Sequence, residues 1–377
     1  MDTLISFGHT ILSFLVVFTV VVFVHEFGHY WVARRCGVRV EVFSIGFGRE
    51  LFGITDRAGT RWKLGLVPLG GFVRFFGDEN AASRPALGLD RMTPEDRSVS
   101  FHYKPLGQRA LIVAAGPLAN FVLSIVLLTS LFVTVGRPIT PAVVNEVLPD
   151  SAAMAAGFQP GDRVVSIGDT AIERFEELRE IVMFSPGVAM AMVVERAGKM
   201  VPIQVTPEDV EITDSLGNPH HIGRLGISVA AREFVRLDPL RGVAAAVVDT
   251  YDLVARSLQG LGEILIGKRD SAELGGPIMI AQMSGERAEA GALALIEFVV
   301  ILSATLGLIN LFPIPLLDGG HLAFYAFEAV RGRPLGMRAQ ELGYMVGLAV
   351  VVTLMVFATV NDLSRPAVID FFTRLVG

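Results

Sequence analysis

The sequence predicts a polytopic α-helical membrane protein: four transmembrane helices, a membrane-associated β-hairpin on the cytoplasmic side and an inserted external α+β domain. Three observations lead there. Of the 377 residues, 52% are apolar and only 19% charged, a balance unlike that of ordinary soluble domains. Segments 110–136, 298–317 and 342–360 contain no Asp, Glu, Lys or Arg, and each is long enough to cross a bilayer core of roughly 30 Å. Basic residues are unevenly shared between the segments that join these stretches. The single cysteine, Cys36, excludes a disulfide scaffold, and a formal charge of -6 argues against a nucleic-acid partner.

The first apolar stretch, 11–24, resembles the core of a signal peptide. No Lys or Arg precedes it, however, no small-x-small cleavage pattern follows, and Arg34-Arg35 close it like a stop signal. Residues of about 5–33 are therefore expected to be a retained span. With a second span at about 109–136, they form a first membrane half, 1–136. Spans at about 291–313 and 341–361 form the second half, 290–377.

Orientation follows from the charges. Segment 34–104 holds 12 Lys/Arg against 8 Asp/Glu, segment 137–289 holds 14 against 22, and segment 313–340 holds 3 against 2. The first and third should face the cytoplasm and the second the outside, which places both chain ends outside.

Loop 38–104 begins with Gly-punctuated apolar runs at 40–48 and 62–76, which read as a hairpin turning about Pro68 to Gly71. It is too apolar for a water-facing loop and is expected to dip into the membrane boundary, whereas the polar stretch 80–100 reads as a tether. The external domain, 137–230, shows short strands at 142–147, 163–167, 189–195 and 200–205 with a helix at 175–183. Its stretch Ser151-Ala-Ala-Met-Ala-Ala-Gly157-Phe158-Gln159-Pro160-Gly161-Asp162 resembles the bacterial PDZ signature. A PDZ domain takes an extended peptide by strand addition, so a peptide ligand is expected. In segment 231–289, Leu240, Val243, Val247, Tyr251, Val254, Leu258, Leu261 and Leu265 recur at helical spacing with charges between them. That pattern predicts an amphipathic helix on the lipid surface or against the spans.

The chemistry begins inside the first span, at His25-Glu26-Phe27-Gly28-His29. On a helix, positions 25 and 29 share a face one turn apart, so both imidazoles can reach one metal ion with Glu26 beside them as a general base. Such groups in a lipid-spanning helix are costly unless they are paired or face a polar cavity. The distance to Arg34 puts the site about 13 Å inside the cytoplasmic edge. Zinc suits the pattern, and a catalytic zinc needs a third protein ligand and an open position. Near the third span, Asn310-Leu-Phe-Pro313-Ile-Pro315-Leu316-Leu317-Asp318-Gly319-Gly320-His321 breaks a helix with two prolines. Asp318 is the favoured donor, although spacing alone also allows His321. His9, His102, His220 and His221 read as ordinary surface residues. Gly116 and Asn120, four residues apart in the second span, read as a packing pair for close-set helices, with a functional part for Asn120 left open.

These motifs, with Ala115-Gly116-Pro117-Leu118-Ala119-Asn120 and Leu274-Gly275-Gly276-Pro277-Ile278, are similar to those of the site-2 protease family of intramembrane zinc metalloproteases. The bacterial branch that regulates the sigma-E response is the nearest. The resemblance covers nearly the whole chain and departs in showing one PDZ signature where a well-known enterobacterial relative has two. It implies that His25, His29 and Asp318 hold Zn2+, that Glu26 is catalytic, and that Asn310 with Gly70, Gly71 and Phe72 positions substrate. It also implies a multi-pass protein of the bacterial inner membrane with its PDZ-like domain in the periplasm. The implied substrates are single-pass membrane proteins, such as an anti-sigma factor after a first external cleavage, and remnant signal peptides. The rival classes are a membrane PDZ scaffold with a structural metal site and a metal transporter.

Overall fold

The computed structural model describes residues 2–78, 92–172, 174–213, 219–229, 233–267 and 275–364. They form two compact units, one of residues 1–128, 243–262 and 270–377, the other of residues 129–242 and 263–269.

In the first unit, α1 (Asp2–Arg35) leads into the paired strands β1 (Val40–Thr55) and β2 (Arg61–Phe75), then the short α2 (Pro94–Val99) and α3 (Leu106–Thr134). Helices α4 (Ala152–Ala155) and α5 (Phe175–Met183) and the strands from β3 (Arg137–Ile139) to β12 (Glu233–Val235) lie in the second unit. The first unit resumes with α6 (Pro239–Leu265), α7 (Pro277–Glu289), α8 (Ala292–Asn310), α9 (Asp318–Arg331) and α10 (Met337–Leu363). Among the described residues four helical stretches are long and apolar enough to cross a membrane: Phe7–Arg35, Leu106–Thr134, Ala292–Asn310 and Arg338–Leu363. The third ends at Asn310 rather than near residue 313. Pro313 and Pro315 have no N–H to continue the helical ladder, and the last turn closes with Leu311 N–H donating to the Leu308 carbonyl.

The β1–β2 region is more folded than the expected hairpin. Its tight turn lies at 56–60, where the Asp56 carboxylate accepts the Ala58 and Thr60 N–H groups, not at Pro68 to Gly71. Both strands are then kinked, β2 near Gly70, whose φ of 109° suits a residue without Cβ. As a result residues 40–45 pair with 71–75 on one side and with 61–64 on the other, and 47–55 pair with 61–67. Segment 71–75 is thus an edge, with one paired neighbour among the described residues. The sheet is fixed to α1 through Trp62, whose ring stacks on Phe43 at 4.3 Å and meets Tyr30 at 5.0 Å. Of the expected tether, residues 80–91 lie outside the described residues. Residues 94–99 are helical, capped by Thr93 Oγ1 accepting from Asp96 N–H. His102, expected at the surface, instead pairs at 2.9 Å with the fully buried Asp78 carboxylate.

Among the described residues, segment 231–289 contains two helices rather than one. The second, α7, packs along α1, and its N-terminus is held by α10: the Asp362 carboxylate accepts the N–H groups of Gly276, Ile278 and Met279. These N–H groups at the start of α7 have no partner within the helix, and the carboxylate satisfies them.

The second unit holds β3 (Arg137–Ile139), β4 (Val144–Val147), α4 (Ala152–Ala155), β5 (Arg163–Ile167), β6 (Thr170–Ala171), α5 (Phe175–Met183), β7 (Met190–Arg196), β8 (Lys199–Val205), β9 (Glu208–Thr213), β10 (Pro219–Arg224), β11 (Ile227–Val229) and β12 (Glu233–Val235). One sheet has the order β6-β5-β7-β8, and the remaining strands form the antiparallel pairs β9–β10, β4–β11 and β3–β12. Leu178 and Val182 of α5 close the core over Val164, Met192 and Val194. The Gly161-Asp162 turn has a structural purpose. Asp162 is fully buried and binds Arg196 through both oxygens at 2.7 Å. Burial alone would raise its pKa, but the Arg196 guanidinium and the Gln159 N–H hold the carboxyl below its ordinary range. The sequence showed no sign of the β9–β10 hairpin or of the β3–β12 pair, which brings the two ends of the inserted domain together.

Candidate metal centre

His25 and His29 project from one face of α1, and Asp318 opens α9 beside them. His25 Nε2 lies 3.1 Å and His29 Nε2 3.4 Å from Asp318 Oδ2, and the two Nε2 atoms are 3.3 Å apart. A tetrahedral ion with bonds of about 2.0–2.1 Å holds its ligands roughly 3.3–3.4 Å apart, so the triangle has the size that zinc requires. Asp318 Oδ2 is buried and makes no hydrogen bond of good geometry, as expected of an atom aimed at an ion.

Tertiary packing determines how these side chains meet. After α8 the chain reverses through 311–317, where Leu316 takes a φ of 93°, a conformation a branched side chain adopts only when its surroundings force it. Gly319 makes the reversal tight, because a Cβ there would lie 2.2 Å from the Phe312 carbonyl oxygen. On the other side α3 crosses α1 at Gly116, where a Cβ would fall 2.2 Å from His29 Nε2 and 2.9 Å from His25 Nε2. The packing pair read from the sequence is therefore also the wall of the metal cradle. The same helix orients the rings, since the Ile112 carbonyl lies 2.9 Å from His29 Nδ1.

These groups line a cavity of about 410 Å³ that also receives Glu26, Gly70, Gly71, Phe72 and Asn310. His25, Glu26, His29, Asp318, Asn310, Gly70, Gly71 and Phe72 therefore border one space. A Cβ at Gly71 would lie 2.9 Å from Glu26 Cγ, so the edge segment 71–75 runs directly against the expected base. Asn310 Nδ2 donates to the Leu306 carbonyl. His321, the alternative third donor, lines the cavity with its Nδ1 3.5 Å from the Tyr344 hydroxyl, outside the triad of possible ligands, which consists of His25, His29 and Asp318. His9 is exposed, His221 forms a surface pair with Asp209, and the His220 side chain lies outside the described residues.

A metal-sized triad beside a carboxylate invites comparison with known hydrolases. The family model for peptidase family M50 matches residues 13–354. The chain belongs to peptidase family M50. A relative from Agrobacterium fabrum, assigned by name to the zinc metalloproteases, is 45% identical over 359 residues, 94% of this chain and 95% of its own. The metalloprotease MmpA of Caulobacter vibrioides is 40% identical over 396 residues, 99% of this chain and 100% of its own. A solved PDZ domain of an SdrC-like protein from Listeria monocytogenes matches 24% of this chain and 88% of its own, at 17% identity and a TM-score of 0.19, too slight a likeness to define a fold. This M50 peptidase is thus a zinc metalloendopeptidase, and its four apolar helices mark it as a multi-pass membrane protein.

Proposed function

We propose that the protein hydrolyses peptide bonds within the transmembrane segments of single-pass membrane proteins, with His25, His29 and Asp318 as zinc ligands and Glu26 as the catalytic base. One observation carries this reading: two of the three candidate ligands, His25 and His29, lie on an apolar helix of spanning length, and all three line a cavity bordered by an unpaired strand edge. When bound, zinc polarises a peptide carbonyl and makes water acidic enough to ionise near neutral pH. Glu26 takes the proton of that water and returns it to the leaving amine. No covalent intermediate is needed.

A helical substrate hides its carbonyls in its own hydrogen bonds, so it has to unwind before it can react. The edge at 71–75 offers the unwound segment a replacement set of backbone partners by strand addition, and the Asn310 side chain adds a polar contact. Exposed Phe47, Leu51, Phe52, Ile54 and Leu66 on the same sheet support its immersion in the membrane boundary. Phe72→Pro removes a backbone N–H from segment 71–75 and disturbs the strand that presents the edge. It should cut cleavage of a tagged single-pass substrate at least tenfold while zinc content stays at wild-type level. Equal loss of cleavage and zinc would assign the edge to support of the metal site instead. Gly70→Pro is the poorer test, because proline cannot adopt the φ of 109° found there.

The PDZ-like domain serves as an external gatekeeper that admits substrates only after a first cleavage has trimmed them. Its pairing β3–β12 sets the limits of a clean excision at residues 141–229. An excision ending at 208 would leave β11 without β4. The shortened protein is expected to keep its zinc and to cleave substrates with bulky external domains that the full chain rejects; unchanged size discrimination would remove the gatekeeper role. The setting of this reading is the bacterial inner membrane, with the domain and both chain ends in the periplasm and anti-sigma-factor-like proteins as substrates.

A further inference from the structure

Asn120 is fully buried on α3. Its backbone carbonyl accepts hydrogen bonds from Ser303 of α8 at 2.8 Å and from Ser124 at 3.1 Å, which fixes its place between helices. Its side chain meets the ring of His25: the amide nitrogen is 3.2 Å from His25 Nδ1, and the amide oxygen is buried without any partner. The two ends of a carboxamide differ only in which carries hydrogen, and their assignment follows the hydrogen-bond network. An NH2 group facing Nδ1 requires a lone pair there and puts the ring proton on Nε2, the atom that points at Asp318 and His29. That tautomer cannot bind a metal through Nε2. Turning the amide by 180° brings Oδ1 to Nδ1, where it accepts the ring N–H and leaves the Nε2 lone pair free.

His29 shows the same arrangement in a form that cannot be reversed. Its Nδ1 faces the Ile112 carbonyl, which only accepts, so this ring carries its proton on Nδ1. Ile112 and Asn120 belong to the same helix and serve the two imidazoles of α1 in turn, one with a backbone oxygen and the other with a side-chain oxygen. We infer that Asn120 is a positioning residue for the metal centre: its Oδ1 accepts the Nδ1–H of His25 and fixes that ring in the tautomer and orientation that direct Nε2 to the ion. This rests on the assignment of His25 as a zinc ligand. Partners of this kind commonly change metal affinity by about 10–100-fold when removed.

The test is zinc affinity of the full-length protein in detergent, measured by chelator competition, for wild type, Asn120→Leu, Asn120→Asp and His25→Ala. Leucine keeps the branching of asparagine, with bulkier apolar groups and no acceptor; aspartate keeps both the size and the acceptor. Asn120→Leu should weaken zinc binding 10–100-fold, and Asn120→Asp should stay within a few-fold of wild type. A residue that merely fills space would give the opposite order, because a buried charge is harder to accommodate than an apolar side chain. Should Asn120→Leu not fold, Asn120→Ala against Asn120→Asp gives the same comparison. Wild-type affinity in the acceptor-free variant, or an equal loss in Asn120→Asp, overturns the inference. Undiminished zinc binding by His25→Ala overturns the ligand assignment itself, so the two failures are told apart.

Discussion

Glu26→Gln is expected to bind zinc as the wild type does and to lose about 10²–10⁴-fold in cleavage rate, the usual contribution of a positioned general base. The amide keeps the size and shape of the carboxylate, so the packing of α1 against segment 71–75, where Glu26 Cγ sits close to Gly71, is undisturbed. His25, His29 and Asp318 remain within reach of one another. Only the ability to take a proton from water and deliver it to the leaving amine disappears. Zinc content of the purified variant, paired with cleavage of a tagged single-pass substrate, reads both halves of this expectation. The same pair of measurements separates the rival classes. A scaffold with a structural metal, or a metal carrier, would not depend on the proton chemistry of this carboxylate, and unimpaired cleavage by the variant would remove Glu26 from the mechanism.

Gly116→Ala is expected to lose both zinc and activity, from the addition of one methyl group. The new carbon would lie 2.2 Å from His29 Nε2 and 2.5 Å from His29 Cε1, with His25 Nε2 at 2.9 Å, distances that no pair of non-bonded atoms sustains. Relief requires either a rotation of His29 away from its Ile112 partner or a separation of α1 from α3, and both take Nε2 out of the metal triangle. The fall in zinc affinity should reach at least 100-fold, since one ligand of three is displaced. Gly107→Ala, at the start of the same helix with open space around it, is the control and should behave as wild type. Alanine favours helix over glycine by about 1 kcal/mol, so a loss in Gly116→Ala cannot come from a weakened helix. Chelator competition and detergent-solubilised yield, compared between the two variants, check it. Wild-type zinc affinity in Gly116→Ala would mean that the α1–α3 crossing is looser than the structure shows.

Much of this was legible in the sequence because the signals are local. Uncharged runs of spanning length, the His-Glu-Phe-Gly-His spacing on one helical face and the alternating strands of the inserted domain each depend on neighbours a few residues away. Helix α5 falls at 175–183 as its periodicity requires, and β5 at 163–167. The broken helix after Asn310 was equally visible, because two prolines one residue apart leave the chain no regular alternative.

What the sequence could not decide were the relations between distant segments. Spacing left His321 open beside Asp318; only the reversal through Leu316 and the close seat of Gly319 turn one of them toward the imidazoles. Gly116 and Asn120 read as a packing pair, since a small and a polar residue four apart look alike whether they face another helix or a metal cradle. The turn at 56–60, the folding of β2 back on β1 and the seating of α7 on α1 arise from contacts between residues remote in the chain, which carry no periodic mark. Local patterns determined that this protein spans a membrane and carries the donors for a metal; tertiary packing alone determined which donors meet, because that depends on where backbones approach closely enough to exclude even a methyl group.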